Sequence, residues 1–198
     1  MPKILNPAQQ EDRLEIIVGE TLDNFSMASL LAELLITYEA RKLQWPTATV
    51  LLRGQGPPVD IPGTNCGLFA TPVFNMAGLD CRRSLEFFGL TCNHSTNSLT
   101  PIKVRHPDDL GIENFGLAQV TPAQFIGVAS TVISVPLEPI LIQVHNWTNK
   151  QLAHFTISQP TMTFQSIRNM SVAMIEAYMQ LLFDALGRPR PSINPCST

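Results

Sequence analysis

A mainly α fold, one helical bundle of at least four helices broken by a long irregular connection, is what this 198-residue sequence predicts. Three observations carry the expectation. Apolar residues recur at helical spacing in several windows, capping residues and prolines bracket those windows, and the length suits one core without a second domain. The chain therefore reads as a single domain over residues 1–198, with 1–20 and 188–198 peripheral. An α+β fold is the alternative, because one apolar stretch alternates as a strand does.

The first helix is expected in "SMASLLAELLITYEARKL", where Met27, Leu30, Leu31, Leu34, Leu35 and Tyr38 share a stripe, Ser26 offers an N-cap and Pro46 ends the run. "TATVLL" then fits either a strand or a buried helical turn, and the Gly and Pro cluster from Gly54 to Gly63 is a loop. A second helix follows in "TPVFNMAGLDCRRSLEFFGL". Thr71 and Pro72 start it, Phe74, Ala77, Gly78, Cys81, Leu85 and Phe88 line its apolar side, and Gly89 stops it.

From Thr91 to Pro122 the periodicity is lost. The stretch reads as an irregular connection with a short extended piece at Ile102–Arg105, and a connection so long is often functional. "TPAQFIGVA" is a short helix capped by Thr121. In "LEPILIQVHNWTNKQLAHFT", Ile140, Ile142 and Val144 alternate, yet Leu137, Leu141, Val144, Thr148, Leu152 and Phe155 share a helical stripe. Length favours the helix. The last helix has its apolar face at Phe164, Ile167, Met170, Met174, Ile175, Tyr178, Leu181, Leu182 and Leu186. At about 34 Å it should form a main wall of the core.

Composition narrows the function classes. A hydrophobic fraction of 44% with 15% charged residues is that of a folded protein, and a net charge of −3 provides no overall positive field for nucleic acid, which counts against a sequence-independent DNA or RNA binder. The longest apolar runs are broken by Glu33, Glu138 and Gln143, short of a membrane span, and the N-terminal residues have no signal-peptide core. These features predict a cytoplasmic protein away from membranes. The four cysteines form no CxxC pair, which predicts free thiols and no zinc. Glycine-rich phosphate loops, nucleophile elbows and zinc-protease motifs are missing, so no cofactor is expected. His106, Asp108, Asp109 and Glu113 are of metal-ligand type, but their spacing matches no calcium loop, and they read as a solvated acidic turn.

One stretch offers chemistry. On a helix, Lys150 and His154 lie one turn apart, as do His145 and Asn149. Imidazole can move a proton near neutral pH while an amine and an amide hold charged oxygens, a combination suited to cleaving a phosphodiester. The plain alternative is a buried, hydrogen-bonded His among solvated neighbours. "NKQLAHFT", followed by a long terminal helix, resembles the signature of the HEPN superfamily of helical proteins. His154 matches the motif His, Lys150 its polar position, and Asn149 stands where the motif has Arg. "CRRSLEFFGL" is also similar to segments of bacterial proteins of this kind. The resemblance implies a bacterial, metal-independent ribonuclease or RNA-binding domain with a degenerate motif. Its candidate catalytic residues are His154, Asn149 and Lys150, and it implies a homodimer. The rival readings are an interaction or scaffold protein that binds a partner protein, and a small-molecule-binding domain lined by Phe115, Trp147 and Phe155.

Overall fold

The computed structural model describes residues 3–41, 48–50, 59–61, 66–93, 95–103, 105–106, 108–149 and 162–193. The fold is mainly α. In chain order the elements are α1 (Pro7–Ile16), α2 (Asp23–Arg41), β1 (Ala48–Val50), β2 (Val59–Ile61) and α3 (Cys66–Phe87). They continue as β3 (Leu90–Asn93), β4 (Ser98–Pro101), α4 (Pro122–Ala129), α5 (Leu137–Trp147) and α6 (Phe164–Tyr178). Each pair of neighbouring strands, β1 with β2 and β3 with β4, is antiparallel.

Asn6 caps α1 and exchanges hydrogen bonds with Gln9, each satisfying a backbone N–H of the other. A wider π turn, Ile17–Leu22, carries the chain from α1 into α2. The helix therefore starts before Ser26, which lies buried inside α2 and is not its cap. The N-terminal stretch, expected at the periphery, is mostly exposed but places Leu14 and Ile17 in the core. Arg188 pairs with Glu11, fastening the other end of the chain to α1.

The apolar face of α2 is displaced from the expected one. Phe25, Ala28, Ala32 and Leu35 are buried, whereas Met27, Leu30 and Leu34 are 41%, 46% and 43% exposed. The reason lies in the partner: α2 packs along α6, where Met170, Ala173, Met174 and Ala177 are buried. Ala28 and Ala32 let the two backbones approach closely, which larger leucines at the seam would prevent. Hydropathy selects the leucines, but shape selects the alanines.

Helix α3 begins at Cys66, so Pro72 lies within it and not in its first turn. Its expected stripe, Phe74 to Phe88, is otherwise buried, and Gly89 ends it in the left-handed region at φ 84°. The connection that follows is more regular than expected. Strands β3 and β4 pair as a hairpin with Leu90 opposite Pro101 and Cys92 opposite Leu99. Leu90, Cys92 and Leu99 face the core, while Thr91 and Thr100 are paired on the other face. Asn93 accepts the Ser95 N–H at 2.9 Å, and Asn97 adopts φ 51° to close the turn. The short extended piece expected at Ile102–Arg105 is not a strand among the described residues there; the strand lies earlier, at β4.

Thr121 caps α4 as expected, with Gln124 returning a bond to the Thr121 N–H at 3.0 Å. Ile140–Val144 belong to helix α5 and not to a strand. Glu138, in the first turn of α5, accepts the Leu99 N–H at 2.8 Å and so pins the hairpin to the bundle. Thr163 caps α6, a π turn at Met179–Asp184 prolongs it, and Gly187 ends it at φ 64°. Within α6 Met174 is fully buried while Ile175 is only partly so. Rings of Phe87, Phe88, Phe115, Phe125 and Tyr178 knit α3, α4 and α6 together, the closest pair being Phe88 and Tyr178 at 5.0 Å. Among the described residues no single helix is long and apolar enough to cross a membrane.

Candidate functional site

The C-terminal end of α5 lies against the middle of α3, and a glycine makes the approach possible. A Cβ at Gly78 would stand 2.6 Å from Cζ3 of Trp147 and 3.1 Å from Oγ1 of Thr148, so only hydrogen fits there. Thr148 is buried, and its hydroxyl donates to the Val144 carbonyl at 2.8 Å, one turn back. With the helices this close, Arg82, one turn after Gly78, reaches Asn149.

Nη1 of Arg82 donates to Oδ1 of Asn149 at 2.8 Å, and Nε donates to Oε1 of Glu86 at 3.1 Å. Because the Asn149 oxygen faces the guanidinium, its amide nitrogen faces Nδ1 of His145, 3.2 Å away. The amide donates there, so Nδ1 accepts and the proton of the neutral ring lies on Nε2. A chain of polar groups thus runs from Glu86 through Arg82 and Asn149 to His145. His145 is buried and Arg82 is partly exposed, so the chain leads from the core to the surface. Arg82 spends two of its five N–H donors on Glu86 and Asn149. Nη2 has no hydrogen-bond acceptor among the described residues and can engage an anion.

Of the expected site residues, Asn149 stands in this chain, whereas Lys150 and His154 lie outside the described residues. Phe155 does too. Phe115 and Trp147 are core residues, the first edge-on against Phe87 and the second packed on Gly78. Among the described residues no cluster of His, Cys, Asp and Glu could hold a metal. His106 and Asp108 are solvated, Asp109 accepts the His106 N–H at 3.1 Å, and Glu113 pairs with Arg105 at 3.5 Å.

Sequence reasoning placed Arg82 within a helix and gave it no role. A signal was present: an Arg and a Glu four residues apart flank an otherwise apolar stripe. What could not be read was its partner, because 67 residues separate Arg82 from Asn149. Fold and geometry define a mainly α domain with a guanidinium–amide–imidazole chain at the α3–α5 crossing. No family model, curated protein or solved structure matches the chain.

Proposed function

We propose that this chain is a HEPN-like helical domain that binds RNA beside the end of α5. In this reading Arg82 and Lys150 hold phosphate, and the imidazole of His154 acts as acid or base. The observation that carries the proposal is the hydrogen bond from Arg82 to Asn149. The motif that "NKQLAHFT" resembles has Arg where this chain has Asn149, an uncharged residue. Arg82 supports the reading by bringing a guanidinium to Asn149 from another helix, so the charge missing from the motif is supplied in space. Its free donors point to a phosphate oxygen as a natural guest.

The chemistry asked of the site is modest. A guanidinium and an amine stabilise the charge that builds on phosphoryl oxygens, and an imidazole transfers the proton. No metal is needed for those steps. RNA binding requires Arg82 and Lys150, while cleavage requires His154 in addition. The homodimer that the resemblance implies belongs to the same proposal, with the motifs of two copies forming one site.

Fluorescein-labelled single-stranded RNA tests it, by anisotropy for binding and by gel for cleavage. The expected result is saturable binding that weakens at least fivefold in Arg82→Ala and in Lys150→Ala. His154→Ala should keep binding and lose any cleavage. Light scattering should return the mass of two chains. Wild-type protein that ignores RNA, or an Arg82→Ala variant that is folded by circular dichroism and binds RNA as the wild type does, overturns the reading.

A further inference from the structure

A cleft of about 700 Å³ opens between the C-terminal turns of α3, the outer face of the β3–β4 hairpin and the segment that follows it. Its size is that of a pocket for a small organic ligand. It lies outside the core: the paired Thr91 and Thr100 form its hairpin wall, the edge of Phe87 and the side chains of Ile102 and Leu110 supply apolar surface, and Arg83 and Lys103 border it. The connection that carries no helical periodicity thus builds half of a cavity.

The charges around it are unequal in what they have left to give. Glu86 is ion-paired with Arg82 at 3.1 Å, whereas Asp109 accepts only the His106 N–H, at 3.1 Å, and keeps its charge. Arg105 is fixed as part of the wall. It donates to the Leu110 carbonyl at 2.9 Å and pairs with the half-buried Glu113, and Gly111 passes so close that a Cβ there would meet Arg105 Cζ at 2.5 Å. The other two cations are uncommitted by comparison. Arg83 is exposed and touches only Asp80, at 3.4 Å through one nitrogen, and Lys103 has no ion pair among the described residues. Three cations against two carboxylates line the cleft, so the surplus is one positive charge, beside the apolar surface of Phe87, Ile102 and Leu110.

We propose that this cleft binds a small amphipathic anion, with a carboxylate or phosphate head at Arg83 and Lys103 and an apolar body against Phe87, Ile102 and Leu110. Thr91 and Thr100 offer hydroxyls to the polar end. The cleft adjoins the Arg82–Asn149 contact through Glu86, but neither Arg82 nor Asn149 lines it, and the inference does not rest on the RNA reading.

1-Naphthyl phosphate and 1-naphthoate are suitable probes, with uncharged 1-naphthalenemethanol as the control, each titrated into isotopically labelled full-length protein and followed by amide chemical shifts. The expected result is saturable shifts concentrated at Thr91, Thr100, Ile102, Lys103 and Leu110 for at least one anion, the tighter of the two identifying the head group. The uncharged probe should bind at least tenfold more weakly. Lys103→Glu should weaken the anion at least tenfold, and because that side chain is exposed and unpaired the variant will fold; Arg83→Glu should do the same. Shifts that do not saturate, that map to Arg82 and Asn149 instead, that are equal for the uncharged probe, or that survive charge reversal at Lys103 overturn the proposal.

Discussion

Arg82 and Asn149 meet at 2.8 Å across the α3–α5 crossing, and that one hydrogen bond orients two further groups. The Asn149 amide must turn its nitrogen toward His145, and the imidazole must then accept at Nδ1. Arg82 is thus a positioning residue for a buried histidine.

Arg82→Ala is expected to cost about 1 kcal/mol of stability, the scale of a hydrogen bond lost at a partly exposed site. In the wild type, long-range proton–nitrogen correlation should show the His145 ring proton on Nε2, and in Arg82→Ala the Nδ1 tautomer should appear as well. Arg82→Lys keeps the charge but cannot span Asn149 and Glu86 with a rigid fork, so it should resemble Ala in the tautomer measurement. An unchanged tautomer population in both variants would show that the tautomer is held by something other than the Arg82–Asn149 bond.

Gly78→Ala should be destabilising although alanine favours helices. The added methyl meets the buried ring of Trp147 at 2.6 Å, and such overpacking costs about 1 to 3 kcal/mol, which matches or exceeds the propensity gain of about 1 kcal/mol. Chemical denaturation will measure it. Gly19→Ala is the control, since a Cβ there meets nothing within 4 Å. A Gly78→Ala variant as stable as Gly19→Ala would mean that the crossing has room to relax.

Asp80 gives stability a pH dependence. Burial lifts its carboxyl above the ordinary 3.8, against hydrogen bonds from Asn24 and Arg83 and with Glu20 adding repulsion. A carboxyl whose folded pKa is raised binds its proton more tightly in the folded state. Its contribution is therefore fully present below pH 3.8 and is lost as pH rises through the folded value. Asp80→Asn keeps an acceptor for Asn24 and removes the buried charge. Its melting temperature relative to wild type should rise between pH 3.5 and pH 7. A relative melting temperature that falls over that range would show that the bonds to Asn24 and Arg83 outweigh burial.

The thiols of Cys81 and Cys92 are expected to be inert in the folded protein. Burial, with Glu138 adding its charge, pushes the Cys92 thiol up to about 12, and burial likewise holds the Cys81 thiol far above its ordinary 9.0. The reactive thiolate is thus scarce at pH 8. In a Cys66→Ser, Cys196→Ser variant, iodoacetamide should add no mass to the native protein and should modify both remaining cysteines in guanidinium. Labelling of native protein at a rate independent of unfolding would contradict the burial.

Local sequence was enough for the helical class and the ends of several helices. The Thr121 cap, the left-handed turns at Gly89 and Gly187 and the apolar face of the last helix depend only on neighbouring residues, and each stands where local chemistry puts it. At Ile140–Val144 length favoured a helix while the alternation left a strand open, and the structure shows the helix. Tertiary structure decided the rest. The exposed Met27, Leu30 and Leu34 are as apolar as the buried face of α2, and the choice fell to Ala28 and Ala32 because α6 comes too close for leucine. The β3–β4 hairpin hid in polar sequence because its stability comes from the bundle, through Glu138 and the buried Leu90, Cys92 and Leu99. Arg82 met Asn149 only because Gly78 admits Trp147. Local rules act over a few residues, whereas contacts between distant segments depend on complementary shapes that no single window of sequence contains.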